Sequence, residues 1–132
     1  MARLMLDTNI CIYVLKNYPI GLRAKFEEMA GSLCISSITL CELYYGAERS
    51  ARREANLSEL TVFAAQLDVL AFSAKAASEY GRLRNALARA GTPIGPFDLL
   101  IGAHALSEGL TLVTNNRREF DRIPGLPVEN WV

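Results

Sequence analysis

The chain has 132 residues, of which 51% are hydrophobic and 21% charged. That suits one folded domain with a substantial core and excludes a disordered chain. Fourteen basic and fourteen acidic residues cancel, so overall charge does not point to nucleic acid, and any basic surface has to be a local patch.

Leu4-Met5-Leu6 is a short apolar run that reads as a buried strand ending at Asp7. Thr8 and Asn9 open a helix through Leu15, closed before Pro19, and a second helix runs roughly from Ile20 to Ala30, stopping at Gly31. Leu33-Cys34-Ile35 is the second strand; Ser36, Ser37 and the helical pattern "ITLCELYYGAERS" follow it. The Arg-rich "ERSARRE" leads to a helix from about Glu54 to Gln66, and Val69-Leu70 is the third strand. Ser73 caps a helix in which Ala76, Tyr80, Leu83 and Leu87 share one face, and Gly91 ends it. "GTPIGP" is a rigid loop, after which Asp98 begins the helix "DLLIGAHALSEG". Leu110 to Val113 is the fourth strand, "TNNRREF" follows, and Leu126 to Val128 forms a short last strand. Short buried strands alternating with helices predict βαβ units. The expected fold is therefore α/β, with a mostly parallel central sheet of four or five strands flanked by helices. No linker divides the chain, so residues 1–132 are expected to form a single domain.

Cys11, Cys34 and Cys41 each lie in apolar sequence and their number is odd. They read as reduced, core-type thiols of a cytosolic protein. A zinc site made from them and His104 lacks any C-x-x-C spacing. Asp7 interrupts the first apolar run before a signal-peptide core forms. No apolar stretch approaches the roughly 18 residues needed to span a bilayer. The expectation is a soluble, cytoplasmic protein with no membrane partner.

Ligands of open α/β sheets bind at the C-terminal ends of parallel strands. Asp7 follows the first strand, Glu42 lies on the helix after the second, and Asp98 starts the helix before the fourth. Asn116 and Glu119 follow that fourth strand. Each acid has a plainer reading: Asp7 and Asp98 as helix caps, Glu42 in a capping box with Thr39, Glu119 in a solvated charged segment. Taken together they converge on one sheet edge. Two like charges about 4 Å apart repel by roughly 4 kcal/mol at an effective dielectric of 20, so clustered carboxylates need a cation. Hard oxygen donors without His or Cys suit Mg²⁺ or Mn²⁺, with Asp7, Glu42 and Asp98 as the metal-holding set.

The blocks "MLDTNICIY", "ISSITLCELYYGAERS", "GTPIGPFDLLIGAHA" and "VTNNRREFDRIPGL" resemble, in order, the four signature blocks of PIN-domain ribonucleases. More closely they are similar to the VapC toxins of VapBC toxin–antitoxin modules, and the resemblance runs from about Leu4 to Trp131. It implies a PIN-like three-layer fold, a homodimer, a VapB-like antitoxin partner, and Mg²⁺-dependent hydrolysis of RNA, with Mn²⁺ able to substitute. The family's first three acids map onto Asp7, Glu42 and Asp98. The position of its usual fourth acid matches Asn116, with Glu119 three residues on, so the number of metals stays open. The blocks are most similar to the branch that cuts initiator tRNA in its anticodon stem-loop.

The implied reaction is in-line phosphodiester hydrolysis leaving a 5′-phosphate and a 3′-hydroxyl. Arg49, Arg52, Arg53, Arg82, Arg84, Arg117 and Arg118 are candidate phosphate contacts, each equally readable as a solvated surface arginine. Tyr44 and Tyr45 suit base stacking, but helical spacing favours core or dimer-interface packing for at least one. His104, within an apolar helix, reads as structural. An antitoxin segment is expected to place an Arg or Lys in the acidic pocket and the rest on exposed apolar surface near Leu43 to Ala47. Two other classes compete. A Mg²⁺-binding receiver-like module needs an acid after its third strand and a lysine after its fifth; here "AFSA" follows the third strand and the last lysine is Lys75. A non-catalytic PIN-like binding module is disfavoured by the three intact acids.

Overall fold

The computed structural model describes residues 3–132. Five short strands, β1 (Leu4–Leu6), β2 (Leu33–Ser36), β3 (Asp68–Leu70), β4 (Thr111–Val113) and β5 (Val128–Glu129), form one sheet in the order β3-β2-β1-β4-β5. All four pairings are parallel, with Leu4 opposite Leu33 and Leu6 opposite Val113. The helices are α1 (Thr8–Lys16), α2 (Leu22–Met29), α3 (Ser37–Glu48), α4 (Arg53–Ala64), α5 (Ala74–Arg89), α6 (Pro96–Ser107) and α7 (Arg117–Phe120), and a 3₁₀ turn spans Ala30–Ser32.

Alternation along each strand sends side chains to both faces. Met5, Cys34 and Leu112 join a core with α5 and α6, while Leu6, Leu33, Ile35 and Val113 join one with α1 to α4. Both faces are thus covered, which explains why these strands read as unbroken apolar runs. The chain winds outward from β1 through β2 to β3, then returns to add β4 on the other side of β1. The C-terminal ends of β1 and β4 therefore flank the point where the winding reverses, which is where α/β sheets open a crevice. Asp7 stands at that point, its backbone N–H donating to Val113 O at 3.0 Å.

Several local expectations are corrected. The helix carrying Asp98 starts at Pro96, not at Asp98, because Pro is pre-organised for the first helical position and Gly95 serves as the cap residue. Asp98 is therefore in the first turn and caps nothing. The helix carrying Glu42 starts at Ser37, and its cap is Ser36, whose hydroxyl accepts from Ile38 N at 3.1 Å. The Thr39–Glu42 capping box does not form; Thr39 is buried within the first turn of the helix. Cys11 and Cys34 are buried thiols, Cys34 pushed up to about 12 by burial, but Cys41 is exposed on the outer face of α3 and is not core-type. The last strand begins at Val128 rather than Leu126.

Two contacts fix the elements behind the crevice. Gly102 of α6 sits so close to the segment after α7 that a Cβ there would lie 2.5 Å from Ile123 Cδ1. Phe120, fully buried, packs beside the same glycine. No helix among the described residues is long and apolar enough to cross a membrane.

Candidate functional site

Asp7 is only 3% exposed. Its Oδ1 accepts from Ile10 N at 2.9 Å, so it caps α1 as well as facing the crevice. Burial raises its pKa; the Thr114 hydroxyl and the Ile10 N–H offset that by stabilising the carboxylate, and the charge of Glu42 adds to the rise. The helix-cap reading of Asp7 is thus met through Oδ1.

Glu42, one turn into α3 beyond Thr39, is half-buried and accepts a short hydrogen bond from the Thr8 hydroxyl on α1. Thr8 also lies 3.4 Å from the hydroxyl of Thr39. This threonine pair ties α1 to α3, and Thr8 holds the Glu42 carboxylate.

Asp98 is pushed up to about 7. Burial is the largest cause, followed by a hydrogen bond and charge repulsion from Glu119, then the charges of Asp7 and Glu42. Glu119 comes from α7, which begins immediately after Asn116 and turns the glutamate back toward the strand end. Asn116 Nδ2 approaches Glu119 Oε2 at 3.4 Å, and its own N–H donates to Thr114 Oγ1 at 2.9 Å. Arg122, one turn beyond Glu119, turns elsewhere: its guanidinium donates to Pro93 O at 2.8 Å.

Four carboxylates from four separated stretches thus act on one another at one sheet edge. As they stand, no three His, Cys, Asp or Glu side chains among the described residues close on a common point, because Glu42 is turned to Thr8 and Asp98 to Glu119. The donor set is nevertheless all hard oxygen, crowded with like charge and without thiolate or imidazole, and it fits a hard divalent cation. His104 turns away, its Nδ1 2.7 Å from Ser36 Oγ, as its structural reading requires.

The mutual repulsion has a measurable consequence. A folded pKa near 7, above the ordinary 3.8, means the folded chain keeps this proton to higher pH than the unfolded chain. The stability this group contributes is full below about pH 4 and is lost as pH rises through about 7. In chelator, Asp98→Asn is therefore expected to raise the melting temperature at pH 8 by a few degrees and to leave it unchanged at pH 4. Equal melting curves for variant and parent at pH 8 contradict this charge arrangement.

Around the site, Arg53 pairs with Glu48 at 2.6 Å, Arg82 with Glu79, and Arg117 with Asp121 at 3.4 Å, all largely exposed pairs of small energetic worth. Arg49 lies over the Tyr45 ring and Arg84 over Tyr80. Arg52 and Arg118 have no ion-pair partner among the described residues. Tyr44 and Tyr45 are both exposed, so neither is core. Leu43 and Ala47, expected at the surface, are buried. They line a groove of about 340 Å³ together with Ile12, Leu15, Glu42, Gly46 and Leu60. Sequence reasoning missed the hydroxyls of Thr8, Thr39 and Thr114; the first was signalled only by its place beside Asp7.

Residues 4–126 match the PIN domain family model. The chain is 51% identical over 131 residues to a Shigella flexneri protein named tRNA(fMet)-specific endonuclease VapC, covering 99% of each. It is 47% identical over 132 residues to Ribonuclease VapC2 of Haemophilus influenzae (strain Rd), covering 100% of each. In structure it matches DNA-bound VapBC from Salmonella typhimurium with a TM-score of 0.95 at 50% identity over 100% of both chains.

Proposed function

The chain belongs to the PIN-domain family, within its VapC group, and we propose that it is the toxin of a type II toxin–antitoxin module, an endoribonuclease that cuts tRNA. The observation that carries this reading is the meeting of Asp7, Glu42, Asp98 and Glu119 at the strand-order switch. The substrate within the reading is initiator tRNA, the specificity carried in the name of the Shigella relative; the anticodon stem-loop as the place of the cut, and the stop to translation, are what the family resemblance implies. The whole chain, 1–132, acts as one PIN domain in the cytoplasm, where its RNA is.

Asp7, Glu42 and Asp98 would hold Mg²⁺, or Mn²⁺ in its place, with Glu119 and Asn116 beside them. When bound, such an ion would offset the carboxylate charge and supply Lewis-acid chemistry toward a phosphate oxygen and a water. The chain's own groups prepare this. The Ile10 N–H and Thr114 hydroxyl favour the Asp7 carboxylate against the effect of its burial. Thr8 holds one oxygen of Glu42, leaving the other to orient a nucleophilic water. Asp98 holds a proton against Glu119 near neutral pH, and that proton has to leave before a cation is bound, so metal affinity rises with pH through about 7. Asn116 offers an amide oxygen at the position that the family resemblance gives to a fourth acid. The acidic crevice repels RNA by itself, so phosphate contacts fall to Arg52 and Arg118, which lack ion-pair partners among the described residues.

Two partners complete the reading. A second copy of the chain forms a homodimer, for which exposed Tyr44 and Tyr45 supply apolar surface. A VapB-like antitoxin lays an apolar segment in the groove lined by Leu43 and Ala47 and directs a basic side chain at Glu42 and Asp98.

Glu119→Gln is expected to weaken Mg²⁺ affinity or turnover by roughly 10–100-fold, as loss of a supporting partner of a metal site does. A Mg²⁺ titration of cleavage rate that overlays the parent curve excludes the residue from the site. Expression of the chain alone is expected to arrest growth, and co-expression of the neighbouring antitoxin to restore it. A chain that is harmless alone and copurifies with nothing encoded beside it does not fit the toxin reading.

A further inference from the structure

Asp98 sits in the first turn of α6 and Glu42 on α3, so the spacing of these two acids depends on how the two helices sit against each other. The surfaces that hold α6 are apolar, and apolar burial is non-directional. One directional bond crosses to the β2–α3 corner. His104 Nδ1 lies 2.7 Å from Ser36 Oγ, and both residues are fully buried. Apart from the contact of Asp98 with Glu119, no other side-chain hydrogen bond of α6 reaches another element among the described residues.

Ser36 is a joint. It ends β2, and its Oγ also accepts from Ile38 N at 3.1 Å to start α3. The imidazole is held in one orientation, with Phe72 meeting it edge-on at 5.3 Å and Phe72 N donating to Ser37 Oγ at 3.0 Å. Burial lowers the pKa of His104, against the opposing charge of Glu108. Its Nε2 is buried without a partner. A leucine of similar volume would leave no orphaned polar atom, so the histidine is a poor choice for packing alone.

We infer that His104 is a positioning residue: its hydrogen bond to Ser36 sets the register of α6 against the β2–α3 corner, and with it the spacing of Asp98 and Glu42. The inference rests on the nuclease reading given above. Three variants test it: His104→Leu keeps volume and removes the bond, Ser36→Ala removes the other partner, and His104→Asn keeps an amide where Nδ1 stands. For each, kcat and KM on tRNA, Mn²⁺ affinity by calorimetry and thermal melting are measured.

We expect His104→Leu and Ser36→Ala to lose about 10-fold in kcat and in Mn²⁺ affinity, the lower end of what supporting partners supply, with KM within about 2-fold. His104→Asn restores most of both, and the double variant is no worse than either single one, as a shared bond requires. Folded variants that differ from the parent only in melting temperature overturn the inference and leave the bond a packing feature. If His104→Leu does not fold, Ser36→Ala and His104→Asn decide on the same readouts. A parent that binds Mn²⁺ but cuts no RNA, with weaker Mn²⁺ binding in the variants, keeps the positioning role and overturns the nuclease reading. A parent that does neither overturns both.

Discussion

Asp7→Asn is expected to cut RNA at least about 10³-fold more slowly than the parent chain while melting within a few degrees of it. The activity loss follows from charge. Asp7 is the most buried of the four acids and stands at the strand-order switch. An amide there removes one formal ligand charge, and Lewis-acid stabilisation of several kcal/mol corresponds to several decades in rate. The fold survives because Asn is as good a helix cap as Asp, so the bond to Ile10 N persists. Removing one of several crowded carboxylates also relieves repulsion. Asp7→Ala separates the two roles: it loses the cap as well, at a cost of about 1 kcal/mol. Single-turnover cleavage and thermal melting of both variants check the prediction, and parental cleavage by Asp7→Asn with added Mg²⁺ contradicts it.

The largest stability effect is expected from Phe120→Ala, about 3–5 kcal/mol, or a fall of about 10–20 °C in melting temperature. Phe120 is fully buried against α6, its ring 3.5 Å from where a Cβ on Gly102 would stand. It also ends the single turn that carries Glu119. The variant should therefore lose Mg²⁺ affinity beyond what its folded fraction accounts for. Urea unfolding gives the first quantity and metal titration well below the melting temperature the second. A loss under about 1 kcal/mol would mean that the segment after β4 is not anchored through this ring.

Much of this was legible in the residues because the relevant signals are local. Apolar triplets gave the central strands β1 and β2, and Ser73 and Gly91 punctuate α5 as such residues do. The acids were legible by position, each next to a strand end or helix start. The errors have a common cause. Thr39 and Glu42 satisfy a local capping pattern, but Ser36 already caps α3 at the end of β2, so the pattern goes unused. Cys41 lies in apolar sequence yet faces outward, since helical phase rather than neighbouring residues decides burial. Leu43 and Ala47 are buried rather than exposed because α4 packs beside α3. Links such as Thr8 to Glu42, or Ser36 to His104 across 68 residues, leave no trace in spacing.

The central claim is that these four acids form a metal-dependent RNA-cutting site, and mapping the ends it leaves tests that claim most directly. Purified chain is incubated with total tRNA and Mg²⁺, with and without chelator, and the termini of every fragment are sequenced with their end chemistry. The account predicts one dominant cut in the anticodon stem-loop of initiator tRNA, with a 5′-phosphate and a 3′-hydroxyl, abolished by chelator and by Asp7→Asn. Intact tRNA with both Mg²⁺ and Mn²⁺, or cleavage that persists in chelator and leaves a 2′,3′-cyclic phosphate, would contradict it.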